Sequence, residues 1–181
     1  NANKKMANLT GFVLNLPGSS IRISNANATY RYNNKKIIPA SLQFNLLLDN
    51  SKITPSDFKC FVPQLKSFNS IINVALSVYG TRSQIRIKKL AVNSHSGDIY
   101  LRADGSVSDW DIAPKWFANI NNLSVSGKTI SLISKNLNGI NIKVPTVVNR
   151  LGNVKLQGII GGTDKTFATK SLIATSVGKA H

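Results

Sequence analysis

The chain has 181 residues, of which 42% are hydrophobic and 17% are charged. This length suits one domain or one large structural unit with a sizeable core. Lys and Arg total 23 against seven acidic residues, all of them Asp, so the formal net charge is +16. A chain without Glu is a poor helical bundle, and no apolar run approaches the roughly 20 residues that a membrane helix needs.

The positive charge arises from few acids rather than from many bases. The densest basic clusters are doublets, Lys4-Lys5, Lys35-Lys36 and Lys88-Lys89. None reaches the run of about five to eight basic residues that is typical of a polyanion patch. A solvated basic face is therefore favoured over a nucleic-acid site. The alternative is a basic β module that binds polyanions or nucleic acid, with candidate contacts at Lys35, Lys36, Arg86, Lys88 and Lys89.

Apolar and polar residues alternate in short runs along most of the chain. The clearest runs cover residues 42–48, 74–78, 85–87, 99–103, 130–132 and 140–144. A period of two predicts strands with one apolar and one polar face. Clusters of Gly, Asn, Asp and Ser separate these runs, as turns between strands do.

Three stretches interrupt the alternation and predict short helices. Thr54 suits an N-cap, Pro55 the first helical position and Asp57 the first turn, so a helix is expected to run to about residue 60–62. A second helix is expected over residues 145–151. A further helical turn is expected over residues 111–118, with Trp116 and Phe117 packing inward.

These patterns predict a mainly β fold with two or three short helices. Val62-Pro63 precedes Gly80-Thr81 much as Val144-Pro145 precedes Gly162-Thr163, which indicates a weak repeat of about 80 residues, roughly 54–108 and 140–178. Repeated strand units favour an elongated, curved, groove-like sheet; the alternative is a closed β-sandwich.

We interpret residues 1–181 as a single β-rich segment of a longer protein, because the chain starts at Asn1 and no terminal signal is visible.

Residues that could support catalysis are few. His95 lies on one loop with Ser94, Ser96 and Asp98, whereas catalytic triads converge from distant segments. The acidic cluster at Asp104, Asp109 and Asp111 lacks the alternating ligands and closing Glu of a calcium loop, and zinc would need several Cys or His ligands. The single cysteine, Cys60, is expected to be a small buried residue. We therefore expect no catalytic residues, no metal and no cofactor.

The apolar faces of the predicted strands have two possible uses. They either close on each other as a core or line a groove for acyl chains, since burying apolar surface contributes about 25 cal/mol per Å² in both cases. The alternation alone favours the closed core.

Four motifs add a resemblance to a known family. These motifs are Ser-Lys-Ile-Thr-Pro-Ser-Asp-Phe (51–58) with Phe-Val-Pro-Gln-Leu (61–65), Asn-Val-Ala-Leu-Ser-Val-Tyr-Gly-Thr (73–81), Ile-Arg-Ile-Lys-Lys-Leu-Ala-Val (85–92) and Gly-Asp-Ile-Tyr-Leu-Arg-Ala-Asp-Gly-Ser-Val (97–107). Together they resemble the repeats of the TamB/AsmA-like translocation and assembly proteins, especially the long Bacteroidetes versions. The resemblance covers most of residues 20–178.

The resemblance implies a non-enzymatic segment of a periplasmic protein anchored in the inner membrane. Such a protein offers an apolar β-groove for phospholipid transport between membranes, supports outer-membrane protein assembly and secretion, or does both. The implied partners are phospholipid acyl chains and, through the parent protein, an outer-membrane BamA/TamA-like barrel, with nucleic acid not expected. The family has no catalytic residues to transfer. What transfers is an inward-facing apolar set: Leu42, Phe44, Leu46, Val74, Leu76, Val78, Ile85, Ile87, Ile99, Leu101, Ile130, Leu132, Ile140 and Ile142.

Overall fold

A computed structural model describes residues 5–34, 36–110, 112–136, 152–175 and 179–180. Within these residues, ten strands form one sheet in which spatial order follows chain order. All nine pairings between neighbouring strands are antiparallel. The strands are β1 (Met6–Asn15), β2 (Ser20–Asn33), β3 (Lys36–Ile53), β4 (Ile72–Thr81), β5 (Gln84–Ser94), β6 (Ile99–Ser108), β7 (Lys115–Ser126), β8 (Asn153–Thr163), β9 (Phe167–Ala174) and β10 (Lys179–Ala180).

The sheet is open, because β1 and β10 lie at opposite edges. No second sheet packs on it in the described ranges. The prediction of a mainly β, groove-like sheet is therefore confirmed, and the alternative of a closed β-sandwich is not formed. A single antiparallel meander leaves both faces without a covering layer, so the curvature of the sheet decides how well its apolar face is shielded.

Two-residue bulges bend three alternate strands. The register of β3 shifts at 49–50, that of β5 at 88–89 and that of β7 at 121–122. The bulges of β3 and β7 lie on one cross-strand row through Ala75 and Gln157, and the β5 bulge lies two residues further along the strands, opposite Asp104. Because a bulge bends its strand and increases the local twist, this line of bulges forms a crease along the sheet.

Glycines on the apolar face allow close backbone approach beside this crease. A Cβ at Gly105 would collide with the carbonyl oxygen of Phe117 on the neighbouring strand. A Cβ at Gly158 would collide with the carbonyl oxygen of Lys170, and Gly158 also has a φ of +148°. Only glycine adopts such a φ without strain, and at both positions the missing Cβ lets neighbouring strands approach closely on the apolar face.

Two 3-10 helices connect β3 to β4, at Pro55–Phe58 and Pro63–Ser67. The helix expected after Thr54 is therefore present but ends earlier than predicted. Pro55 occupies the first turn, as expected, but the Thr54 side chain makes no capping hydrogen bond. Cys60 follows the first 3-10 helix and is exposed, so the prediction that it is buried is wrong.

One α-helix, α1 (Gly127–Asn136), follows β7. The strand predicted at residues 130–132 is wrong, because Ile130 and Leu132 lie on α1. Ser126 precedes the helix, and its hydroxyl accepts a hydrogen bond from the Thr129 amide at 3.2 Å. This N-cap bond satisfies an amide that would otherwise lack a partner, which explains why the chain turns helical at this point.

The helical turn predicted over residues 111–118 is wrong, because Lys115 begins strand β7. Trp116 lies on the apolar face of that strand, with its ring centroid 5.9 Å from that of Phe167. Phe117 lies on the opposite face and is 43% exposed. The helix predicted over residues 145–151 lies outside the described residues.

The connections alternate between the two ends of the strands. One end, the helical rim, carries residues 16–19, 54–71, 95–98 and 127–136, and there α1 contacts both β7 and the second 3-10 helix. The other end, the hairpin rim, carries the turns at 82–83, 109–114 and 164–166. Helical structure in the described residues is thus confined to one rim of the sheet.

Two hairpins on the hairpin rim have the same local structure. In the β4–β5 turn, the Thr81 hydroxyl accepts hydrogen bonds from the Ser83 and Gln84 amides at 3.3 and 3.2 Å. In the β8–β9 turn, the Thr163 hydroxyl accepts hydrogen bonds from the Lys165 and Thr166 amides, both at 3.1 Å. The predicted repeat of residues 54–108 and 140–178 contains both turns; part of its second copy lies outside the described residues.

Candidate functional site

The inner face of the sheet is the face on which the paired apolar residues of neighbouring strands meet. Its rows cross many strands: Phe44 pairs with Ala28 and Gly80, and Leu101 pairs with Val92 and Leu123. No Asp, Lys, Arg or His occupies a paired inner-face position of β1–β9 in the described residues. An uncharged surface therefore extends across nine strands. Its large members are Leu9, Phe12, Leu14, Ile21, Ile23, Phe44, Leu46, Leu48, Ile53, Ile72, Val74, Leu76, Val78, Ile85, Ile87, Leu90, Val92, Ile99, Leu101, Val107, Trp116, Ile120, Leu123, Val125, Val154, Leu156, Ile160, Phe167 and Ile173.

This inner face remains largely accessible to solvent. Val78, at 8% exposure, is the one buried hydrophobic residue among those that the structure describes. Leu9 and Phe12, on the edge strand β1, are both 41% exposed, and Phe167, at the start of β9, is 67% exposed. The apolar surface is therefore available to an apolar ligand.

Polar side chains on the inner face are tied to the backbone. Ser51 is fully buried; its hydroxyl accepts a hydrogen bond from the Arg22 amide at 2.9 Å and donates to the Arg22 carbonyl at 3.4 Å. Ser94 is 6% exposed, and its hydroxyl accepts a hydrogen bond from the Ile99 amide at 2.9 Å. Since these hydroxyls are satisfied locally, they impose no polar character on the groove.

A depression of about 510 Å³ lies where small residues meet larger ones in β1–β3. It is lined by the inner-face residues Ala7, Leu9, Ala26, Ala28, Phe44 and Leu46, together with Asn8, Asn27 and Asn45 between them. Alanines leave this part of the inner face lower than its surroundings, so it has room for one part of an elongated apolar ligand.

The outer face is polar and carries most of the charged strand residues. Its bases are Arg22, Lys52, Arg86, Lys88, Lys89, Arg102, Lys115, Lys155 and Lys170, and its acids are Asp49 and Asp104. Both acids are engaged by polar neighbours. Asp49 accepts a hydrogen bond from the Ser24 hydroxyl at 2.6 Å. Asp104 accepts hydrogen bonds from the side-chain amides of Asn119 and Asn121, at 3.0 and 2.9 Å.

A hydrogen-bonded clamp fixes the helical rim near β1–β3. The Asp57 carboxylate, in the first 3-10 helix, accepts hydrogen bonds from the Gly18 amide at 3.1 Å and from the Ser19 hydroxyl. The Thr54 hydroxyl donates to the Gly18 carbonyl at 2.6 Å, and the Thr54 amide donates to the Ser19 hydroxyl at 2.9 Å. The β1–β2 turn and the β3–β4 connection therefore hold each other in place.

The structure places most of the predicted groove residues on one surface. Phe44, Leu46, Val74, Leu76, Val78, Ile85, Ile87, Ile99 and Leu101 lie together on the inner face. Leu42 precedes them on β3 and is half-buried. Ile130 and Leu132 instead lie on α1 at the helical rim, with Leu132 43% exposed. Ile140 and Ile142 lie outside the described residues.

The alternative basic set is only partly brought together. Arg86, Lys88 and Lys89 are neighbours on the outer face of β5. Lys36 pairs with Asn33 at the tip of the β2–β3 hairpin. Arg86 and Asn45 both pair with Tyr79, so they lie at the same level along the strands. On β2, six residues separate Asn33, the partner of Lys36, from Asn27, the partner of Asn45, so Lys36 lies about 20 Å from this level at the usual rise of a strand. Lys35 lies outside the described residues.

Sequence reasoning missed inner-face residues that follow a bulge. Leu90 and Val92 on β5, and Leu123 and Val125 on β7, line the groove but were assigned no role. The sequence does carry a signal for these residues. The apolar positions of this run are odd-numbered before Lys88-Lys89, at Ile85 and Ile87, and even-numbered after it, at Leu90 and Val92. Two adjacent polar residues within an alternating run are what a bulge produces.

The other candidate chemistries do not form sites in the described residues. His95 is exposed in the turn after β5, whereas the Ser94 hydroxyl is buried and hydrogen-bonded to the Ile99 amide. No group of three or more His, Cys, Asp or Glu residues there is arranged to hold a metal ion. None of the helices described is long and apolar enough to cross a membrane.

Comparison with family models, with curated proteins and with solved structures finds no match to this chain. Function is therefore inferred from the two faces of the sheet.

Proposed function

We propose that this chain is a non-enzymatic, groove-forming segment that holds phospholipid acyl chains. The observation that carries the proposal is the inner face, which is apolar and uncharged across nine strands but has only Val78 buried among the described hydrophobic residues. Folding alone does not explain so much accessible apolar surface, since soluble monomers rarely expose large continuous apolar patches. A ligand that covers this surface accounts for it.

The chemistry of the ligand follows from the shape of the surface. The inner face is continuous along the sheet and open at both edges, so it suits a long, narrow and flexible apolar chain. Burial of each methylene group contributes about 0.8 kcal/mol, so contact with about ten of them contributes about 8 kcal/mol before ordering costs. A charged headgroup finds no partner on the uncharged inner face and would remain in water at a rim.

This proposal agrees with the resemblance to TamB/AsmA-like proteins. In that family, a periplasmic segment of an inner-membrane-anchored protein shields lipid tails on their way between two membranes. The present chain would supply one length of such a conduit. Each strand added to the sheet would lengthen the covered path by about 4.8 Å, the spacing between strands.

The first test compares neighbouring residues on opposite faces of β3. Leu46→Asp places a carboxylate on the inner face, and Asn45→Asp places the same charge on the outer face. We expect purified protein with Leu46→Asp to retain about tenfold less phospholipid in native mass spectrometry, because loss of apolar contact and desolvation of a carboxylate together exceed about 1.4 kcal/mol. Asn45→Asp should retain lipid as the unmodified protein does.

A second readout avoids charged residues, in case Leu46→Asp prevents folding. Cys60 is exposed and is the single cysteine, so Cys60→Ser gives a background for labelling. An environment-sensitive fluorophore on Leu76→Cys should shift to the blue when phospholipid is added, whereas the same fluorophore on Ser77→Cys should not. Equal responses at both positions, or protein that stays free of lipid when long-chain phospholipid is offered, would overturn the proposal.

A further inference from the structure

The outer face of β5 and β6 carries a cluster of cations beside the bulge of β5. We call Arg86, Lys88, Lys89 and Arg102 the outer cation cluster. The bulge places two residues, Lys88 and Lys89, between the inner-face residues Ile87 and Leu90. Both lysines therefore stand on the same face, where a regular strand would place only one of them.

The geometry of the cluster is linear. Arg86 pairs with Ser106, and Arg102 lies four residues from Ser106 on β6, with the two lysines between these levels. At the usual rise of a strand, the cations are spread over about 13 Å. Arg86, Lys88 and Lys89 lie on β5, and Arg102 lies on β6. All four residues are exposed. Adjacent like charges repel each other, and an anion laid along the line would relieve that repulsion.

The acid nearest to the cluster is turned to other partners. Asp104 lies opposite the bulge, but its Oδ1 atom accepts hydrogen bonds from Asn119 and Asn121 on β7. In the described part of the chain, none of the four cations forms an ion pair with a carboxylate. The cluster thus presents four cations whose charge is not neutralised by direct contact.

Two tyrosines support the cations. The Lys88 ammonium lies 5.0 Å from the centroid of the Tyr79 ring, and the Arg102 guanidinium lies 5.7 Å from that of Tyr100. Cation–π contacts at these distances hold the charged groups over the sheet. A hollow of about 370 Å³, lined in part by Gln43, Tyr79, Gln84 and Arg86, adjoins the cluster and offers amide donors beside the guanidinium.

We propose that the outer cation cluster binds a flexible linear polymer whose negative charges are phosphates. Arginine forks match phosphate oxygens, and a line of four cations matches a chain of charges. Lys88 and Arg102 each cover one face of a tyrosine ring, which leaves less ring surface for the nucleobase stacking that single-stranded nucleic acids use.

This binding is separate from the lipid groove, because it uses the opposite face of the sheet. Fluorescently labelled inorganic polyphosphate of one chain length is the probe, with binding to the full chain measured by fluorescence anisotropy. Four neutralised charges predict a salt slope of about −2.8, which is about a 50-fold loss of affinity between 50 and 200 mM salt.

The decisive comparison uses two sets of charge-neutralising substitutions. The cluster set is Arg86→Gln, Lys88→Gln, Lys89→Gln and Arg102→Gln. The control set removes the same net charge at exposed positions away from the cluster: Lys36→Gln, Lys59→Gln, Lys66→Gln and Lys165→Gln. We expect the cluster set to lose at least about tenfold in affinity at 50 mM salt and the control set to lose less than about twofold. Circular dichroism should show unchanged strand content in both.

Several results would overturn the inference. Equal losses in the two sets would show that net charge alone attracts the polymer. Tighter binding of single-stranded DNA than of polyphosphate with equal charge would show that bases are recognised. Tighter binding of vesicles containing phosphatidylglycerol would assign the cluster to a lipid surface instead.

Discussion

At the scale of single residues, Asp57 joins two connections that are far apart in the sequence. Its carboxylate accepts hydrogen bonds from Gly18 and Ser19, which are 39 and 38 residues away. The sequence placed Asp57 in a first helical turn, as the structure does. Its partners were not predictable, because local patterns carry no information about which distant turn a side chain meets.

Replacement of Asp57 should loosen this rim. Asp57→Ala removes the acceptor of both bonds and leaves a buried Ser19 hydroxyl with fewer partners. Hydrogen bonds to charged groups contribute about 1.5–3 kcal/mol, so we expect a loss of about 2 kcal/mol in local stability. Amide hydrogen exchange at Gly18 measures this directly. Asp164→Ala, at an exposed turn, removes the same charge and should leave Gly18 protected; equal exchange in both variants would contradict this role of Asp57.

At the scale of elements, alternation predicted strands well and bulges poorly. The runs at 42–48, 74–78, 85–87 and 99–103 all lie in strands. Polar doublets such as Lys88-Lys89 looked like basic clusters, although in the structure they mark the crease. Helix α1 was missed because Ile130 and Leu132 fit a period of two by chance, while the hydrogen bond of the Ser126 cap selects the helix.

Curvature should depend on the glycines of the inner face. Gly105→Ala would drive a methyl group into the carbonyl oxygen of Phe117, so the two strands would have to move apart. Overpacking of this kind costs about 1–3 kcal/mol, which thermal unfolding followed by circular dichroism would register as a lower midpoint. Gly161→Ala is the matched control, because the nearest atom to its Cβ would be the Trp116 oxygen, at 3.1 Å, and Gly161 lies on the outer face. Equal losses would mean that glycine matters for reasons other than close approach.

At the scale of the whole molecule, the choice between an open groove and a closed core depends on topology. Alternating residues such as Leu76 and Ile87 fit both arrangements. Alternation alone favoured the closed core, whereas the repeated strand units favoured the open, groove-like sheet. A meander of ten strands decides it, because consecutive pairing in one layer leaves no second sheet to cover the first. The large accessible surface follows from that order, and so does the separation of an uncharged inner face from a basic outer one.

The same topology places β1 at one end of the strand order, and this edge strand should govern self-association. Met6, Leu9, Phe12, Val13 and Leu14 on β1 are each 41–49% exposed. Long apolar edge strands pair with other chains unless a charge blocks them. We expect concentration-dependent dimers in analytical ultracentrifugation, weakened about tenfold by Val13→Lys, since a lysine at an edge opposes strand addition at a cost of about 1.4 kcal/mol. Ile159→Lys adds the same charge on an interior strand at a residue that is 46% exposed. If both substitutions weaken the dimer equally, the chains associate through a face of the sheet and not through its edge.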